Sequence, residues 1–118
     1  MKPKFKFEGL FIWQDAMNLA EEINKMIEGF PTKERFNLSS QILRAADSIA
    51  LNISEGSILQ SKKEFQKFLG YSIRSNAEVV SCLHKAKRRK YIDEAEFQSK
   101  YKDCFKLMNM MVAFRSKV

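Results

Sequence analysis

Apolar residues recur at steps of three and four along most of the chain. In the first segment Ile12, Ala16, Leu19, Ala20, Ile23, Met26 and Ile27 keep this spacing, while Asp15, Glu21, Glu22, Lys25 and Glu28 fall mostly elsewhere, which predicts an amphipathic helix. Gly29 and Pro31 mark its end, because glycine takes the left-handed conformation past a helix terminus and proline cannot continue the helix. Ahead of it, Phe5 and Phe7 alternate with Lys4 and Lys6 in an arm, residues 1–9, expected to pack across the rest of the molecule. A second helix is expected from Ser39 as N-cap, with Leu38 and Leu43 as a hydrophobic staple, to near Gly56. Ser61 with Glu64, and Asp93 with Glu96, are capping boxes, in which each side chain satisfies a backbone N–H that the first helical turn leaves free. They open a third helix running to about Lys90 and a fourth carrying Phe97, Tyr101, Cys104, Phe105, Met108, Met111 and Val112.

Four helices joined by short connections favour antiparallel neighbours. The expected fold is therefore all-α, an antiparallel up-down-up-down four-helix bundle forming one domain over residues 1–118. That length can bury a core without disulfides or metals. A composition 45% hydrophobic and 30% charged, with four Gly and two Pro, excludes a disordered tail and a turn-rich β-protein. The apolar stretches fall far short of the roughly 20 residues that span a bilayer. Met1 to Lys6 is not followed by an apolar signal region. A cytoplasmic location without a membrane partner is the expectation.

Two stripes lie outside the expected core faces. At ~100° per residue, Gln41, Arg44, Ser48, Asn52 and Glu55 of the second helix share one arc, beside the core positions Ile42, Ala45, Ile49 and Ile53. Leu43, Ala50 and Leu51 fall on other faces. So many apolar sides on one helix suggest that neighbouring subunits cover it in a homo-oligomer. The polar arc would then be an internal network in which Arg44 pairs with Glu78 or Glu55 to offset desolvation; a solvated face is the competing reading.

The other stripe is on the third helix, where Lys63, Lys67, Arg74, Lys85 and Arg88 lie nearly opposite Phe65, Phe68, Leu69, Val79, Leu83 and Ala86, and Lys87, Arg89 and Lys90 thicken its end. The formal net charge is +7, with 7 Lys and Arg against 8 Asp and Glu in residues 1–59, and 14 against 6 in residues 60–118. All of the basic excess belongs to the second half. A one-signed ridge suits the phosphates of RNA or DNA, although charged residues on an outer helix face also serve solubility alone. Aromatic residues are sparse along it, with Tyr71 and Tyr91 at its flanks, so base stacking on single strands is not indicated.

Catalytic chemistry finds no foothold. His84 is the only histidine and has no partner at a recognisable spacing. Cys82 and Cys104 lack further ligands at zinc spacing and read as reduced core or interface thiols. Trp13 and the methionines of the fourth helix read as core or interface. Neither a Gly-rich phosphate loop nor a nucleophile motif occurs. No cofactor, no metal and no enzymatic activity are expected.

Residues across the chain also carry a resemblance. Leu10, Trp13, Ala16, Phe30, Pro31, Glu34 and Leu38 precede the run Gln41, Ile42, Arg44, Ala45, Ala46, Ser48, Ile49, Asn52, Ile53, Glu55 and Gly56; Phe65, Phe68, Leu69, Ser75, Glu78, Tyr91 and Ile92 follow. Together they resemble the 23S rRNA-intervening-sequence protein family, also called the four helix bundle proteins. The block from Gln41 to Gly56 is the most specific part. The resemblance implies an antiparallel four-helix bundle assembled as a homopentamer and encoded in some bacteria within insertions in 23S rRNA genes. A related branch, the accessory variability proteins of diversity-generating retroelements, binds nucleic acid and a reverse transcriptase through a basic pentamer. The alternative for this chain is such an adaptor. Gln41, Arg44, Ser48, Asn52, Glu55 and Glu78 carry over as fingerprint positions without a catalytic role. The chain departs from the pattern at Arg74, where a small residue is common, and at Tyr71, where Ile or Leu is common.

Overall fold

Helix-period patterning and local capping place four helices in the order expected. The computed structural model of the chain describes residues 4–59 and 61–118, so the first three residues of the expected arm lie outside the described residues. The helices are α1 (Phe11–Met26), α2 (Leu38–Ser57), α3 (Lys62–Arg88) and α4 (Glu94–Lys117). Each packs on its neighbours in sequence, and α1 closes the ring on α4. The protein is an antiparallel four-helix bundle. Its centre is aliphatic, with Ile23, Ile42, Ile49, Ile53, Leu69 and Leu83 all fully buried.

The caps of α3 and α4 form where the sequence places them. Ser61 Oγ accepts from the Glu64 N–H at 3.3 Å, and Asp93 Oδ1 accepts from the Glu96 N–H at 2.8 Å. The start of α2 differs. Ser39 lies inside the helix and is buried, and the helix begins at Leu38 after Asn37, whose side chain caps nothing. A 3-10 turn, Thr32–Glu34, instead brings the Glu34 carboxylate beneath the helix, where Oε1 accepts from the Leu38 N–H at 3.4 Å. An acidic group from the preceding turn therefore takes the role expected of a serine.

The end of α1 is also resolved differently. Gly29 is not left-handed; a 3-10 turn, Ile27–Gly29, tightens the last turn, and Phe30 and Pro31 continue in extended backbone. The left-handed residue is Lys90, with φ 64°, at the end of α3. There the Lys90 N–H donates to Lys87 O at 3.0 Å and the Tyr91 N–H to Ala86 O at 2.9 Å, a closure that commonly uses glycine.

The apolar sides of α2 are covered in part by the chain itself. This helix packs on α1, on α3 and on the two 3-10 turns Lys6–Gly9 and Thr32–Glu34. Ala46 and Ala50 are buried there, so Ala50 needs no neighbouring subunit, contrary to the expectation from its angular position. Leu43 stays half-buried, and Leu51 is 57% exposed. Of the arm's described residues, Phe7 meets Trp13 edge-on at 5.2 Å between centroids, and Phe5 stacks outside it.

Gly56 ends no helix by its backbone. It is buried within α2 where α3 crosses closest, and a Cβ there would lie 2.6 Å from Phe68 Cβ and 3.0 Å from Phe65 Cδ1. Substituting Gly56→Ala should lower stability by about 1–3 kcal/mol, although alanine alone favours a helix by about 1 kcal/mol. Urea denaturation should give a lower midpoint at unchanged slope. A higher midpoint would mean that this close approach is not fixed.

Candidate nucleic-acid interface

The rotation of α3 about its axis is set by its buried face. Leu69, Val79, Leu83 and Ala86 enter the core. Two fully buried polar side chains then lock the register: Ser72 Oγ donates to Ile49 O at 2.8 Å, and Asn76 Nδ2 donates to Cys104 O at 2.8 Å. The first tie is to α2 and the second to α4. With both flanks fixed, the residues opposite must face outward, and Lys63, Lys67, Arg74, Lys85 and Arg88 are all exposed.

The eight cations singled out in the sequence do not behave alike. Lys87 Nζ lies 2.6 Å from Glu94 Oε2 and 4.5 Å above the Phe97 ring. Arg89 pairs with Glu34 at 3.1 Å. Those two are engaged in holding the α3–α4 turn. The other six, including Lys90, make no ion pair among the described residues. Arg74 is oriented by an aromatic ring, its guanidinium lying 5.1 Å from the Tyr71 centroid. Tyr71 and Arg74 are thus in contact with each other.

Arg115 of α4 joins this surface and was not anticipated. Its Nε donates to Gln66 O at 2.7 Å, and it lines a hollow with Lys63, Lys67, Gly70 and Arg74. The signal was available in the topology, since antiparallel packing puts the end of α4 beside the start of α3.

The polar arc of α2 faces the opposite flank of α3. Asn52 Nδ2 donates to Ser48 O and Oγ at 2.8 and 2.9 Å, and Ser75 Oγ donates to Ser48 Oγ at 3.0 Å. Gln41 Nε2 reaches Glu78 Oε2 at 3.5 Å. Arg44 and Glu55 are exposed, and the expected pairing of Arg44 with Glu78 or Glu55 does not form among the described residues. Within one chain the arc is a small hydroxyl and amide seam with charged ends in solvent.

Glu34 is the one carboxylate whose burial and partners define a network. Tyr91 Oη donates to its Oε2 at 2.7 Å, Arg89 Nη1 at 3.1 Å, and Asn37 Nδ2 donates to Oε1 at 3.0 Å. Phe30 packs on the Tyr91 ring at 5.4 Å. The loop before α2 is thereby pinned to the α3–α4 turn, at the basic end of α3. The Tyr91 hydrogen bond holds the Glu34 carboxyl below its ordinary range against the opposing effect of burial, and Asn37, the Leu38 N–H and Arg89 assist. The same hydrogen bond raises Tyr91.

Cys82 and Cys104 are free and fully buried; burial raises both thiols, Cys104 to about 12. His84 is exposed and lies edge-on to Phe97 at 4.9 Å. No described helix is long and apolar enough to cross a membrane.

This fold, with its outward basic helix, can be set beside known proteins. The family model of the 23S rRNA-intervening sequence protein matches residues 8–113, and the chain belongs to that family. A solved structure from Bacteroides thetaiotaomicron, described as a protein with unknown function from the S23 ribosomal protein family, is 23% identical. The alignment covers 89% of this chain and 95% of that one with a TM-score of 0.83, which extends the likeness in fold to nearly the whole molecule. No curated protein matches the sequence.

The Glu34 network has a pH signature. A carboxyl lowered from 4.5 on folding contributes stability that is present above that value and lost as pH falls through the folded value. Urea midpoints taken from about pH 6 to about pH 3 should therefore fall more steeply for the natural chain than for Glu34→Gln. Parallel curves would remove Glu34 from the acid response.

Proposed function

We propose that this chain is a non-catalytic, homo-oligomeric protein that binds RNA or another nucleic acid through the outward face of α3. The observation that supports this best is the row of exposed cations without an ion pair among the described residues, Lys63, Lys67, Arg74, Lys85, Arg88 and Lys90. A face kept for solubility alone normally mixes signs to avoid repulsion between turns. Here the carboxylates Glu64 and Glu78 stand only at its margin. Lys and Arg contacts to phosphate position a nucleic acid without reading its sequence, so the binding is weakly sequence-selective and strongly salt-dependent. Membership of a family tied by name to 23S rRNA genes is consistent with an RNA partner.

Self-association is supported by a second exposed face. Leu43 and Leu51 of α2, with Phe36 just before the helix and Ile58 just after it, recur at intervals of seven and eight residues, and Phe36 is 88%, Leu51 57% and Ile58 65% exposed. Such a stripe is the seam that helices of two copies use when they pack together.

Replacing Lys63, Lys67, Arg74, Lys85 and Arg88 with Gln together should weaken RNA binding by at least about tenfold and flatten the slope of log affinity against log salt by about 4. Unchanged affinity and slope would remove α3 as the binding surface. Independently, Leu51→Lys with Ile58→Lys should lower the solution mass measured by light scattering toward that of one 13.8 kDa chain. An unchanged mass would place any contact between copies on another face.

A further inference from the structure

The cations of the basic face of α3 form two poles separated by a stretch without a cation, Glu78 being its one exposed carboxylate. Lys63, Lys67 and Arg74, joined by Arg115 across the hollow at Gly70, form one pole; Lys85 and Arg88 form the other, with Lys90 exposed in the turn just beyond the helix. Between them the outward positions are Ala77, Glu78 and Ser81. The facing members, Arg74 and Lys85, are roughly 17 Å apart along the helix at ~1.5 Å per residue, and Lys67, in the middle of the first pole, is roughly 27 Å from Lys85. The helix is unbroken over Lys62–Arg88 and anchored on both flanks by Ser72 and Asn76. The separation is therefore fixed by a rigid element.

Such a pair of poles suits a partner that is itself rigid and offers phosphates at two places a fixed distance apart. A flexible single strand gains nothing from fixed spacing, and it usually needs aromatic platforms for its bases. This face offers none free: Tyr71 is half-buried, covered by Arg74 and edge-on to Phe68. Along one face of a duplex each strand's backbone returns once per turn. In B-form DNA that repeat is ~34 Å, whereas the A-form turn of RNA is shorter and closer to the interval from Lys67 to Lys85. Lys90 fits the same picture. It is the one described non-glycine residue with positive φ, a conformation unfavourable to a lysine, and its exposed charge stands in the turn just beyond Arg88, where glycine would suit the backbone better.

Resting on the nucleic-acid reading above, we infer that the ligand class is double-stranded RNA, bridged along one face between the two poles of α3.

The test uses fluorescence anisotropy with labelled RNA duplexes graded from about half a helical turn to about two turns, beside single-stranded RNA and a DNA duplex of the longest length. Two variants of the full chain each remove one pole, Lys63→Gln/Lys67→Gln/Arg74→Gln and Lys85→Gln/Arg88→Gln/Lys90→Gln. All six side chains are exposed, and matching thermal melts establish that both variants fold. The natural chain should gain at least about tenfold in affinity once the duplex spans both poles, with a salt slope steeper by about 2–3. Each one-pole variant should keep the weaker binding of short duplexes and lose the gain with length, and RNA duplex should bind more tightly than DNA duplex or single strand. A length gain that survives in both variants, or single strands binding as tightly as duplexes, would overturn the bridge while leaving nucleic-acid binding in place. Absence of salt-sensitive binding to every probe would overturn the nucleic-acid reading itself, and the bridge with it.

Discussion

The close approach of α2 and α3 at Gly56 governs what the rest of the molecule can present. Because a glycine stands against Phe65 and Phe68, α2 contributes no side chain at this point and the two phenylalanine side chains of α3 rest against its backbone. Ser72 can then donate to a backbone carbonyl of α2 in the core. A buried hydroxyl with a single satisfied bond tolerates little sliding or rotation, since losing it leaves a desolvated donor. On the other flank Asn76 makes the equivalent bond to α4. A helix held on both sides has only one face left for solvent, and in α3 that face is basic. The charge pattern and the packing pattern are therefore a single constraint seen from two sides.

Much of this was legible in the sequence, for physical reasons that can be named. The helices were legible because their apolar spacing and the caps at Ser61 and Asp93 act locally, and both caps form. The start of α2 was not, because its cap comes from Glu34, whose carboxylate is held by Tyr91 and Arg89 from the far end of the chain. The helix ends near Gly29 and Gly56 were legible, since α1 stops at Met26 and α2 at Ser57, but the roles of the two glycines were not: one sits in a 3-10 turn and the other serves a close contact. Ala50 read as a face in need of a subunit, but the turns Lys6–Gly9 and Thr32–Glu34 pack on α2 and the residue is buried within the chain.

The candidate site was legible in outline and not in its accounting. Periodicity alone located the outward cations of α3. It could not tell that Lys87 and Arg89 are held by Glu94 and Glu34, nor that Arg115 approaches from α4. Two cations are taken up at the α3–α4 turn and one is gained at the opposite end, while the stretch between Arg74 and Lys85 holds no cation in the sequence itself. Tyr91, Glu34 and Phe30, which in the sequence are scattered fingerprint positions, form one cluster at the distal end. Their role is to hold the end of α3 in place beneath Lys85, Arg88 and Lys90.

Lysine reactivity distinguishes a basic face that binds from one that only solvates. The chain would be acetylated briefly with and without an excess of RNA duplex, and the modified positions quantified by mass spectrometry. Lys63, Lys67 and Lys85 should be protected by the duplex, while Lys25, Lys33 and Lys102, exposed on other elements, should react equally in both samples. Uniform protection of all six, or protection confined to Lys25, Lys33 and Lys102, would contradict binding through the outward face of α3.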